Sequence, residues 1–256
     1  MEEFKVNKDA EQKLIRKIVD LTNELNILNP LYNFRLTRGM CIENENTSIY
    51  KYLVNEYKDI DSYIYDYIRL REIELLIGLI KENNIEGSLA EVGVFQGKIS
   101  SLLNYLFPER KLYLFDTFSG FSNEQLHDST AIKYSEKSFF QYVNKFSDTS
   151  EQLVLEKMTN RNNCIICKGA FPNTAVNIDD RFCFVSIDVD FFKSTLDSLI
   201  YFYPKIVQGG YLFIHDYNDD ELHGVKYAVQ QYEKKIKQKL HLVPLCDHSG
   251  TLVISK

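Results

Sequence analysis

The sequence predicts an α/β fold: a mostly parallel, Rossmann-like sheet of seven strands that ends in an antiparallel hairpin and follows a helical N-terminal portion. Three observations carry this prediction. From Ser88 onward, short apolar runs alternate with helix-length amphipathic runs across short connections, a pattern that calls for parallel strands with helices on both faces. The run Gly87-Ser-Leu-Ala-Glu-Val-Gly-Val-Phe-Gln-Gly-Lys-Ile-Ser100 reads as a buried strand that ends in an acid, turns on two glycines and enters a helix. Near the end, His241-Leu-Val-Pro-Leu245 and Thr251-Leu-Val-Ile-Ser255 flank Cys-Asp-His-Ser-Gly, which reads as a hairpin.

The elements follow in order. Leu14, Ile18, Leu21 and Leu25 recur at helical spacing within residues 8–28. Residues 29–48 are irregular, with Asn-Pro and Thr-Arg-Gly signals. Tyr67, Leu70, Ile73, Leu76, Ile77 and Ile80 form a stripe that predicts a helix over 61–85. Residues 1–85 are therefore expected to form a helical region packed on, or closing over, a main domain at 86–256. Strands are expected near 88–94, 111–116, 163–168, 182–188 and 210–215, and helices near 97–106, 172–178, 194–203 and 221–238. Residues 117–162 are too long for a simple crossover. They are expected to hold one or two helices (about 136–158) and a loop over the pocket, as a substrate-specificity insertion.

Composition bounds the function. The 256 residues are 45% hydrophobic, enough for a proper core. A net charge of -6 argues against nucleic acid as a partner. No run of 18 apolar residues exists, so no membrane span is expected. The polar start Met1-Glu-Glu-Phe-Lys-Val-Asn-Lys8 is unlike a signal peptide, and a cytoplasmic protein is expected. Cys164-Ile-Ile-Cys167 has redox spacing but falls in an expected strand, where the two side chains point to opposite faces; small buried hydrophobes are the expectation.

Two acids at strand ends suggest a nucleotide-type cofactor. Glycines let backbone approach a ligand at a helix N-terminus, which Glu91-x-Gly93-x-x-x-Gly97 would provide. Lys111-Leu-Tyr-Leu-Phe-Asp116 ends in an acid 25 positions after Glu91, where a carboxylate can take ribose hydroxyls. Thr117 and Phe118 follow in a turn that looks like a cofactor-gripping loop. Lys168-Gly169-Ala170-Phe171-Pro-Asn-Thr174 offers an apolar wall for adenine, or a simple turn and helix start.

A second constellation carries chemistry. Phe184-Val-Ser-Ile-Asp188-Val-Asp190 ends in two acids two residues apart, on one face of an extended backbone. The next strand ends in His215-Asp216. If these strands are neighbours, Asp188, Asp190, His215 and Asp216 share one cleft and could hold a divalent cation or a substrate hydroxyl. The plainer reading is that Asp190 caps the helix expected over 194–203 and Asp216 caps the next segment. Arg69 and Arg71 could reach a cofactor carboxylate, but a solvated helix face explains them as well.

Asp188-Val-Asp190-Phe-Phe-Lys-Ser-Thr-Leu-Asp-Ser-Leu, Tyr203-Pro-Lys-Ile-Val-Gln-Gly-Gly-Tyr-Leu-Phe-Ile-His215-Asp216-Tyr217, Glu91-Val-Gly-Val-Phe-Gln-Gly97 and Asp116-Thr-Phe-Ser-Gly120 together resemble the macrocin O-methyltransferase family, collinearly over roughly 70–256. The resemblance implies a class I methyltransferase fold and methyl transfer from S-adenosylmethionine to a sugar hydroxyl, generally with Mg²⁺. It implies that Glu91, Gly93 and Gly97 hold the methionine end, that Asp116 holds the ribose and that Ala170 and Phe171 line the adenine, with Phe95, Thr117, Phe118, Gly169 and Asp188 also expected at the cofactor. It makes Asp188 and Asp216 metal positions, with His215 beside them, and Asp190 the general base. The family more often has Asp where this chain has His215. That residue could therefore ligate a metal (Mg²⁺ or Mn²⁺), orient the sugar or act as a base. A homo-oligomer, a dimer or larger, is a further family expectation. The acceptor implied is a nucleotide-linked or glycan sugar in polysaccharide or natural-product assembly. Two alternatives stand beside this reading: a metal-dependent glycosyltransferase using Asp188-x-Asp190, and a non-catalytic cofactor-binding scaffold.

Overall fold

The structure is a computed structural model; it describes residues 60–121, 145–219, 223–247 and 249–256, with side chains from 68 onward in the first of these, and six positions between 13 and 24. The chain divides into two compact units, Met1–Glu45 and Asn46–Lys256. In the first, Lys13, Arg16, Lys17, Asp20, Leu21 and Glu24 are helical and exposed; the rest of the helix expected over 8–28 lies outside the described residues.

The second unit begins well before the expected boundary at 85/86. Helix α1 (Ile60–Glu82) belongs to it, because the stripe Leu70, Ile73, Leu76, Ile77 and Ile80 is buried in the main core. Strand β1 (Ser88–Val92) follows, buried along its whole length as a central parallel strand must be. Helix α2 (Lys98–Leu106), β2 (Leu112–Asp116), the short α3 (Glu151–Glu156) and β3 (Cys164–Lys168) come next. Then β4 (Phe182–Ile187), α4 (Phe192–Phe202), β5 (Ile206–Ile214), α5 (His223–Ile236), β6 (Leu242–Pro244) and β7 (Leu252–Ser255) complete the order.

The seven strands run β3-β2-β1-β4-β5-β7-β6 across one sheet. The first five pair in parallel; β7 pairs antiparallel with both β5 and β6. The order reverses between β1 and β4, which sit side by side at the centre. Ligands of such sheets bind beyond the strand C-termini at this reversal. Val92 lies level with Phe115 and Ile187, and Ile187 with Ile214, so the strand tips end at one edge.

Alternation along the strands divides the core in two. Leu89, Leu114, Phe184 and Phe213 join the stripe of α1 and the inner face of α2. Ala90, Val92, Phe115, Val185, Ile187 and Leu212 meet α4 and α5 on the other face. Cys164 and Cys167 fall on opposite sides of this division, and burial pushes both thiols up to about 11.

Two helices differ from expectation. Over 172–178 there is only a 3-10 turn, Asn173–Ala175, because the segment has no apolar stripe: Ala175 is buried, but Val176 is 79% exposed. Within the described part of 136–158, helix is confined to α3. Ser150 starts it by accepting from the Leu153 N–H at 3.1 Å, and residues 145–149 are non-helical. Residues 122–144 of the expected insertion lie outside the described residues.

Phe202, fully buried on α4, packs its ring against Phe115 (5.8 Å), Phe171 (5.5 Å) and Phe182 (5.1 Å). Phe202→Ala should lower the unfolding free energy by about 3–5 kcal/mol, measured by urea denaturation. A loss below about 1 kcal/mol would mean that this cluster does not anchor the sheet.

Candidate active site

The tips of β1, β2, β3, β4 and β5 surround a cavity of about 400 Å³, within the size range of small-molecule sites. Gly93, Phe95, Asp116 and Thr117 line one end with Gly169, Ala170 and Phe171; Asp188, Asp190, His215 and Asp216 line the other. The two constellations of the sequence thus share one crevice. Glu91, Gly97 and Phe118 are not among the lining residues.

The loop after β1 turns on Gly93, whose φ of 85° suits glycine. A Cβ there would sit 1.8 Å from the Asp188 carbonyl oxygen, so β1 and β4 approach as closely as they do only without a side chain. The Asp116 carboxylate grips this loop. Its Oδ2 accepts the N–H groups of Val94 and Phe95, each at 2.8 Å, and its Oδ1 accepts that of Phe118 at 2.7 Å. A carboxylate offers about four acceptor positions, so roughly one remains for a ligand hydroxyl. Segment 145–149 straps down the same loop. Thr149 donates to the Phe95 carbonyl, Gln96 donates to Asp148, and Phe146 stacks edge-on to Phe95 at 4.9 Å.

At the other end, Asp190 does not cap a helix as the plainer reading requires. The N-cap of α4 is Phe191, not Asp190. Asp190 instead centres a three-residue turn closed by Phe191 N–H to Val189 O at 2.6 Å. Asp190 and Asp216 both take left-handed backbone, with φ of 60° and 57°. Such positions cost on the order of 1–3 kcal/mol each and cluster where function fixes geometry. Phe95 and Phe118 share the strain, with φ of 48° and 53°.

Charge is balanced unevenly. Asp188 Oδ2 pairs with Arg69 Nη2 at 2.7 Å, and its Oδ1 lies 3.1 Å from His215 Nδ1. The same nitrogen is 2.9 Å from Asp216 Oδ1. Neither oxygen meets the directional requirement of an N–H···O bond, so Nδ1 is buried without a hydrogen bond despite both close contacts. Burial works to raise Asp188, but His215 and Arg69 outweigh it and hold the carboxyl well below its usual range. Burial also works against the imidazolium, yet Asp188 and the contact with Asp216 push His215 up to about 10. For Asp190 the opposing pull of His215 is the weaker. Burial, then the Asp188 and Asp216 charges, drive it well above the ordinary carboxylate range.

The atoms of Asp188, His215 and Asp216 converge within 4.8 Å. Two contacts near 3 Å match an octahedral edge, about 3.0 Å for ligand bonds of about 2.1 Å. These residues fit a divalent cation. The glycine cradle, Asp116 and the Phe171 wall fit a nucleoside.

Arg69 is the residue that sequence reasoning set aside. It is 4% exposed, not solvated, and reaches Asp188 from α1. Its signal was its place among the stripe residues, one before Leu70. Arg71 faces outward to Glu74. Glu91 is 1% exposed and accepts from Ser100 of α2 beneath the glycine loop. Burial pushes its carboxyl up to about 8, with Asp188 adding to the rise. Phe121, Lys145, Phe146 and Asp219 also line the cavity.

Seven strands in this order, with a reversed β7 inserted beside β5, define the class I methyltransferase fold. NovP, an O-methyltransferase, shares it with a TM-score of 0.61 at 23% identity, over 73% of this chain and 79% of that one. CalS11, a calicheamicin methyltransferase, shares it with a TM-score of 0.58 at 14% identity, over 80% and 89%. The macrocin-O-methyltransferase (TylF) family profile matches residues 61–250, and the chain belongs to that family. A curated relative, demethyldecarbamoylnovobiocin O-methyltransferase of Streptomyces niveus, is 25% identical over 159 residues, 58% of this chain. The match spans 60% of that relative's length.

Glu91 gives a pH test of its burial. Its folded pKa is raised from 4.5 to about 8, so the folded state holds this proton more tightly. That contribution to stability is fully present below pH 4.5 and is lost as pH rises through 8. Glu91→Gln, which keeps the shape without the proton, should therefore gain in melting temperature relative to wild type as pH climbs from 5 to 8. Parallel melting curves across that range would contradict the buried, protonated state.

Proposed function

We propose that this chain is an S-adenosylmethionine-dependent O-methyltransferase acting on a sugar hydroxyl, with a nucleotide-linked hexose, deoxyhexose or heptose as the acceptor class. The observation that carries this is the single crevice: a nucleoside cradle at one end and a cluster of strained acids at the other. Membership of the macrocin-O-methyltransferase family supports the reaction. The strand order with its reversed β7, that of the class I methyltransferase fold, argues against the glycosyltransferase reading.

S-adenosylmethionine would supply a methyl group already activated on a sulfonium. The protein's task is alignment and proton removal. Gly93 brings backbone to the ligand, the last acceptor position of Asp116 takes a ribose hydroxyl, and Phe171 walls the adenine. Phe121 and Phe146, 5.3 Å apart, also line the crevice and offer rings to the apolar surface of a sugar. Asp190 takes the hydroxyl proton. Burial and the charges of Asp188 and Asp216 favour its protonated form, so the role of base needs that crowding to be offset. A divalent cation held by Asp188, His215 and Asp216 would offset that crowding and acidify the hydroxyl.

Thermal shift separates the enzyme classes: S-adenosylhomocysteine should raise the melting temperature, whereas a shift with UDP or GDP and none with S-adenosylhomocysteine is the glycosyltransferase outcome. Asp190→Asn should keep S-adenosylhomocysteine affinity within about twofold while lowering kcat by 10²-fold or more, the range for a lost general base. Turnover near wild type in a screen over nucleotide sugars would remove Asp190 from that role. Chelator added to the same screen should abolish turnover; unchanged rates would exclude the cation.

A further inference from the structure

The donor set at the acidic end is not one suited to magnesium. Mg²⁺ prefers oxygen ligands and gives up its water reluctantly. Here one of three convergent atoms is an imidazole nitrogen, His215 Nδ1. A second feature weakens a hard cation further. Arg69, brought in by α1, pairs with Asp188 Oδ2 at 2.7 Å, leaving Oδ1 as the oxygen directed at the triad. Asp188 is thus a one-oxygen donor whose charge is already shared with a guanidinium. Attraction by carboxylate charge, on which magnesium sites depend, is reduced, and the nitrogen donor remains. Imidazole nitrogen suits first-row transition ions, whereas Mg²⁺ is suited by carboxylate, carbonyl and water oxygen. Nδ1 stands 3.1 and 2.9 Å from the two oxygens, the spacing of adjacent ligands on one ion, and the three residues' ligand atoms lie within 4.8 Å of one another.

We infer that Asp188, His215 and Asp216 form a site for a first-row transition-metal ion in preference to Mg²⁺, with Arg69 positioning Asp188 as a one-oxygen ligand. This inference rests on the proposed reading of the crevice as a cation-assisted methyl-transfer site. Ligation through Nδ1 displaces the proton of the imidazolium from that nitrogen to solvent and leaves the ring proton on Nε2.

The test is binding, not turnover. Metal-free full-length chain is titrated with CoCl₂ and with MgCl₂ by calorimetry, and the cobalt absorption band is recorded. One Co²⁺ per chain should bind about 100-fold more tightly than Mg²⁺, and His215→Asp should narrow that gap by about tenfold or more. Asp216→Asn should lose the tight cobalt site and its absorption band. Equal wild-type affinities for the two ions would overturn the inference whatever the variants do. So would an unchanged gap in His215→Asp, or in His215→Asn if the aspartate variant fails to melt cooperatively. S-adenosylhomocysteine binding is measured on the same samples. If it binds without metal selectivity, the metal inference fails alone; if wild type does not bind it, the methyltransferase reading fails, while the two metal affinities still judge the site.

Discussion

Asp188 joins the parts of this protein that its chemistry needs together. One oxygen pairs with Arg69 on α1, the other with His215 at the tip of β5, and its carbonyl presses against the bare backbone of Gly93 at the tip of β1. A buried carboxylate is tolerated only with such partners. The pairing therefore ties the first helix, the glycine loop and the acidic cluster to one point. Were Arg69 lost, the crevice would hold Asp188, Asp190 and Asp216 with His215 as the nearest compensating charge.

Topology places that point. The order β3-β2-β1-β4-β5 brings five strand tips to one edge, and the reversal between β1 and β4 opens the crevice there. The cost appears as left-handed backbone at Phe95, Phe118, Asp190 and Asp216, and in the raised pKa of Asp190. The rest of the sheet absorbs it. Aromatic packing of Phe115, Phe171, Phe182 and Phe202 makes the crevice wall at Phe171 continuous with the core.

Much of this was legible in the sequence, because period-2 and period-3.6 patterns report local geometry directly. The strands, the hairpin and the gathering of Asp188, Asp190, His215 and Asp216 follow from apolar runs ending in acids. What was not legible has a common cause, long-range pairing. Arg69 looks like any polar residue beside a helical stripe until Asp188, 119 positions away, is placed opposite it. Asp116 looks free for a ribose until the N–H groups of Val94, Phe95 and Phe118 fill three of its acceptor positions. Glu91 reads as a ligand acid, yet Ser100 and the inner core enclose it. The short turn at 173–175 shows the opposite limit: proline and small polar residues signalled a helix start, but no apolar face was there to extend it.

The account depends on the nucleoside cradle and the acid cluster being two ends of one working site. A crystal structure with S-adenosylhomocysteine bound tests this most directly. It should show adenine against Phe171, one ribose hydroxyl on Asp116, and the sulfur directed toward Asp190. A nucleoside bound elsewhere, or a sulfur turned away from the carboxylates of β4 and β5, would contradict it.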